Sequence, residues 1–138
     1  MELITGYQLE DHVTSLQDAM WHRGIWKDDC IISVGENLKA EVITNNEIRV
    51  RSGILNMQGK FCSIDMNTYD SLTINNGTVG ENRIDLIVLH YEKNADTQVE
   101  STVLKVIQGT SSLDTPSVPS YTEGNIDNGD LVAELPVF

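Results

Sequence analysis

Three histidines (His12, His22, His90), two cysteines (Cys30, Cys62) and two acidic runs are the side chains of this sequence that could ligate a metal or move a proton. Their spacing points away from such chemistry. His12 and His22 stand ten residues apart, which does not put them on one helical face as i,i+4 ligands would be. The cysteines have neither CxxC spacing nor a His cluster beside them, so they read as buried free thiols. Asp28-Asp29 and the run Asn125, Asp127, Asn128, Asp130 lack the regular ligand spacing and distal Glu of a calcium loop, and read as turns. Arg83 and Asp85 share one side of a strand. A base at Asp85 would be the catalytic reading, but an ionised carboxylate beside apolar strands needs a satisfied partner, so the pair reads as structural. Trp21, Trp26 and Tyr7 could stack on a sugar. Beside a short helix they read instead as anchors onto the sheet or a neighbouring chain. No GxGxxG, Walker, GxSxG or HExxH motif is present. No catalytic, cofactor-binding or metal residues are therefore assigned, and the chain is not read as an enzyme.

The elements that position these residues are mainly strands. Runs 83–91 and 99–107 carry apolar residues on both parities, so each needs cover on both faces, and together they predict a long hairpin at the centre of a sheet. Shorter strands are expected at 30–34, 38–43, 47–51, 54–57, 60–64 and 71–74, with turns at Gly35-Glu36-Asn37, Asn45-Asn46, Ser52-Gly53 and Gln58-Gly59. In 47–51 the alternation sets Ile48 and Val50 inward and the charges outward. A single helix is expected near 15–23. Thr14 and Gln17 fit a capping box, and Leu16, Ala19, Met20 and Arg23 form one stripe that ends near Gly24. The fold class is mainly β: an antiparallel sandwich or open barrel with one short N-terminal helix and a long central hairpin. The expected organisation is an arm and helix (1–26) making an assembly contact, a β core (27–110), and an extended connector leading into a further element (111–138), all within one structural domain.

With 138 residues the chain can bury one core. Its net charge of −12, from 21 acidic against 9 basic residues, would repel a phosphate backbone, so nucleic acid is excluded as a partner. No charged start followed by an apolar segment opens the sequence, and no apolar run approaches a membrane span. The apolar end, Leu135-Pro136-Val137-Phe138, is expected to continue or to pack onto a partner.

Several stretches, taken in order, carry a resemblance: His12-Val13-Thr14-Ser15 with Ile25-Trp26; 46–53; Met57-Gln58-Gly59-Lys60; 72–80; 82–88; and 99–101 through Val106-Ile107-Gln108-Gly109-Thr110. Together they resemble a domain of tail-tip, baseplate or tail-fibre proteins of phages and prophages of Gram-positive bacteria. The resemblance covers nearly the whole chain and rests on order and spacing, not on any single motif. It implies a structural virion component, located in the tail and made in the host cytoplasm without a signal peptide. Such a component would act in assembly and in attaching host-recognition parts. The implied partners are other tail or baseplate proteins and further copies of the chain, with any host surface glycan contacted indirectly. A carbohydrate- or receptor-binding module at the tail tip is the alternative.

An imbalance locates the expected contact surface. Leu3, Ile4, Tyr7, Met20, Trp21, Ile25 and Trp26 crowd into a segment too short to bury them all, and at about 25 cal/mol per Å² of apolar area removed from water a few of them would drive association. The competing expectation is that the helix lies across one sheet face and buries its whole stripe within one chain.

Overall fold

The computed structural model describes Ile4, Leu9 and residues 12–138. After the helix α1 (Ser15–Trp26) the chain forms β1 (Cys30–Ile32), β2 (Ala40–Thr44), β3 (Glu47–Met57), β4 (Lys60–Thr73), β5 (Leu86–Lys93), β6 (Glu100–Ile107), a one-turn 3-10 helix at Ile126–Asn128, and β7 (Val132–Pro136). The strands make two antiparallel sheets, so the chain is mainly β, with a single α-helix among the described residues, as the turn spacing predicts.

In the first sheet β3 pairs with β4 along one edge, and on its other edge with β2 and then β1. Two turns or breaks expected from the sequence are absent. Segments 47–51 and 54–57 are one strand, and 60–64 and 71–73 belong to one strand as well, with Ile74 just beyond its end. The signal read as a turn at Ser52-Gly53 is a register shift inside β3, and residues 65–68 bulge from β4 opposite it. The shift changes parity, so that Ile48 and Val50 before it and Leu55 and Met57 after it all face the core. Glycine is required there: a Cβ on Gly53 would lie 2.6 Å from the backbone nitrogen of Leu38, whose side chain enters the core across the bulge.

The second sheet has β5 between β6 and β7. The β5–β6 hairpin forms as its sequence predicts, but only β5 is central and covered on both faces; β6 is an edge strand, and its Val103 is exposed. Ile87, Leu89 and Tyr91 are buried on the face toward the first sheet, and Val88 is buried on the other. The apolar terminal segment supplies β7, which pairs with β5 and places Ala133 in the core. Residue Thr122 exchanges hydrogen bonds with Glu134, tying the preceding connector to this sheet.

Both thiols are free and half-buried. Cys30 lies opposite Asn56 and Cys62 opposite Leu55, with β3 running between them. Two strand spacings, about 9.5 Å, exceed the reach of a disulfide. Burial pushes the Cys62 thiol pKa up, against hydrogen bonding from Thr102.

Candidate functional site

Helix α1 begins as its sequence predicts. Thr14 Oγ1 accepts from Gln17 N, and Gln17 Oε1 accepts from Thr14 N at 2.9 Å. Its end and its packing differ from expectation. The helix runs through Gly24 to Trp26 and is capped by Lys27, whose N–H donates to Arg23 O at 2.8 Å and whose positive φ turns the chain out of the helix. Of the expected apolar stripe only Ala19 is buried, while Leu16 and Met20 are exposed. The side facing the protein carries Ser15, Ala19, His22, Arg23 and Trp26, a small and mostly polar row at i, i+4, i+7, i+8 and i+11.

That row wraps the turn between β3 and β4. Ala19 sits directly over Gly59, where an added Cβ would lie 2.1 Å from Ala19 O. On one side of the turn His22 stacks on Phe61 with ring centroids 4.2 Å apart, and Trp26 meets the same ring edge-on at 5.1 Å. His22 Nδ1 also contacts Gly59 O at 3.1 Å. Arg23 pairs with Asp127 and reaches Gln58 Oε1. Gln58 spreads the connection further: its Nε2 donates to Gly124 O and its backbone N–H donates to Asp29.

On the other side of the turn lies a charged cluster that joins three elements. Lys60 Nζ from β4 donates to Glu100 Oε2 of β6 at 3.0 Å and to Ser15 O at 3.2 Å, while Ser15 Oγ contacts both Lys60 Nζ and the Glu100 carboxylate. Buried Tyr91 donates to the other Glu100 oxygen at 2.7 Å. Burial pushes the Glu100 carboxyl up, but hydrogen bonds from Ser15, Tyr91 and Lys60 outweigh it and bring its pKa down to about 2. Burial and the adjacent carboxylate raise the Tyr91 phenol above its ordinary value. Ser15 Oγ and Lys60 Nζ are both held against the Glu100 carboxylate. The cluster is a clamp from the helix start to both sheets. It borders a cleft of about 350 Å³ whose rim also includes Ile126 and Asp130.

The other residues singled out in the sequence serve the fold. Arg83 and Asp85 form a two-pronged pair with both contacts at 2.8 Å, and Asp85 also accepts from Gly109 N. Arg83 reaches the carbonyls of Asn75 and Asn76, so the pair pins the loop before β5 to the end of β6. Asn125 Oδ1 caps the 3-10 turn and Asp130 accepts from Asn125 N. His90 lies mid-strand, its Nδ1 at 2.9 Å from Glu134 Oε1. Among the described residues no three His, Cys, Asp or Glu side chains converge as metal ligands, and no helix is long and apolar enough to cross a membrane.

Because α1 docks by its polar side, its apolar side faces outward. Met20, Trp21 and Ile25 are 59%, 63% and 55% exposed and share this outer face with Gln17 and Gly24, while Leu16 lies on its border. Trp26, expected with them, is turned to the opposite side against Phe61. Ile4 is 38% exposed, and its carbonyl lies 2.8 Å from His12 Nε2. Leu3 and Tyr7 lie outside the described residues. Sequence reasoning missed the clamp, whose members stand up to 85 residues apart, and Gly24 as part of the outer face. No family model matches the chain, and no curated protein or solved structure is significantly similar to it.

Proposed function

We propose that this chain is a structural component of a phage or phage-derived tail or baseplate, joining virion parts through the outer face of α1. One observation carries the contact: a helix held to the body by its polar side leaves Met20, Trp21 and Ile25 in water. Exposed apolar patches of this kind mark protein interfaces, and a helix fixed to two sheets presents such a patch at little ordering cost. The attribution to a tail rests on the resemblance over residues 12–110. Host recognition is then indirect, through the parts this component attaches.

The test is incorporation into particles. In an induced lysogen, the double change Met20→Ser and Trp21→Ser should leave the chain folded by circular dichroism and absent from assembled tails. Wild-type incorporation of that variant would sink the reading. A glycan-binding module is favoured only by the exposed Trp21 ring. Specific glycan binding lost in folded Trp21→Ala would put that alternative first.

A further inference from the structure

We infer that Asn76-Gly77, in the loop between β4 and β5, is a site of self-modification, at which Asn76 gives up its side-chain ammonia under attack by the Gly77 backbone and becomes aspartate and isoaspartate. The chemistry needs water and no partner.

The sequence has two Asn-Gly steps, Asn76-Gly77 and Asn128-Gly129. Glycine after asparagine is the permissive case, because its backbone nitrogen can approach the side-chain carbonyl carbon without a Cβ in the way. The fold treats the two steps differently. Asn128 ends the 3-10 turn that Asn125 caps, and Gly129 N–H donates to Ile126 O at 3.1 Å. There the helical dihedrals are fixed and the N–H is occupied, so the nucleophile is withheld. Asn76 and Gly77 are exposed and lie outside the strands, and beyond the chain neighbours no atom stands within 4 Å of where a Gly77 Cβ would be. Among the described residues Gly77 N–H donates to no acceptor.

Two contacts prepare the reacting atoms. Arg83 Nη1 donates to Asn76 O at 3.2 Å, so a cation sits on the carbonyl of the very amide whose nitrogen must lose its proton, and favours the deprotonated form. Asn46 Nδ2 donates to Asn76 Oδ1 at 2.7 Å and also to Ile74 O at 2.7 Å, which fixes its place. That donor is aimed at the oxygen that gains negative charge when the side-chain carbon is attacked.

The step balances without a further reagent. Gly77 N bonds to Asn76 Cγ, the Cγ–Nδ2 bond breaks, and ammonia leaves carrying the Gly77 proton. Water then opens the cyclic imide. Opening at Cγ gives aspartate, whereas opening at the backbone carbonyl carbon gives isoaspartate, with the main chain rerouted through the side chain. Either product adds a carboxylate to the loop that Arg83 pins.

The experiment ages the full chain in heavy-oxygen water and maps its peptides by mass spectrometry, with circular dichroism to confirm the fold. Heavy oxygen should accumulate at residue 76, in both isomers, while Asn128 keeps its amide. Gly77→Ala should fold, since φ there is not positive and the space is open, and should slow the loss severalfold. Asn46→Ala separates a promoting donor from a restraint. Loss of one hydrogen bond to the developing oxyanion slows the reaction about fivefold, whereas release of a restraint would speed it. Loss at Asn76 no faster than at Asn128 in the folded chain overturns the site. Aspartate without isoaspartate overturns the imide route, and an unchanged or faster rate in Asn46→Ala overturns the part given to Asn46.

Discussion

Tyr91 donates its phenolic hydrogen to Glu100 Oε1 at 2.7 Å, a diagonal bond between adjacent strands at the mouth of the sandwich. The bond fixes one carboxylate oxygen and leaves the other to Lys60 and Ser15. A single side chain on β6 thus holds both sheets and the start of α1.

The clamp gives the chain an acid limit. The Glu100 carboxyl loses its proton at about pH 2 in the folded chain, against an ordinary value of 4.5. Its stabilisation is therefore complete above pH 4.5 and lost as pH falls toward 2. Glu100→Gln should cost about 2 kcal/mol at neutral pH and flatten the decline below it. Urea midpoints at a series of pH values read both effects. An unchanged acid limb in the variant would assign the proton uptake to other carboxylates.

Helix docking depends on the missing side chain at Gly59, where φ is +82° and Ala19 O occupies the Cβ position. Gly59→Ala should destabilise the chain by about 2 kcal/mol or more. It should also lift α1 from the turn, so near-ultraviolet dichroism from Trp26 against Phe61 should weaken while far-ultraviolet strand signal persists. A variant with wild-type stability would mean that the helix can shift without loss.

Asp85 acts as half of an ion pair whose side chains are only 9% and 13% exposed. Its carboxyl pKa is lowered: burial pushes it up, and Arg83 and the Gly109 N–H overcome that. Asp85→Asn should cost about 3 kcal/mol by leaving Arg83 buried without its counter-charge. Replacing both, Arg83→Met with Asp85→Leu, should cost less than the single change. If the double variant is the less stable, the loop contacts of Arg83 to Asn75 and Asn76 outweigh the pair itself.

How far these features were legible follows from how local their causes are. The Thr14–Gln17 cap and the β5–β6 hairpin depend on residues near one another in the chain, and both stand where the sequence places them. Ser52-Gly53 has the composition of a turn, but Leu38 packing across Gly53 makes it a bulge within one strand, and that contact is visible only in three dimensions. Which face α1 turns inward stays open between two expectations for the same reason. Leu16 and Met20 look like a core stripe, yet the close approach of Ala19 to Gly59 and the pull of Glu100 on Ser15 turn the helix the other way. Ser15, Lys60, Tyr91 and Glu100 carry no motif, because their meeting is set by the sandwich and not by spacing.

Strand β3 hydrogen-bonds to every other strand of its sheet. Among the described residues no member of that sheet pairs with another strand when β3 is lost, so opening at β3 amounts to unfolding of the sheet. The ladder amides of 54–56, enclosed by β1 and β4, should accordingly be among the last to exchange with deuterium, at rates set by global unfolding. Exposed amides in the last turn of α1 should exchange by local fraying long before them. Mass spectrometry after timed deuterium labelling would then resolve the sheet and the helix as two kinetic populations of one folded chain.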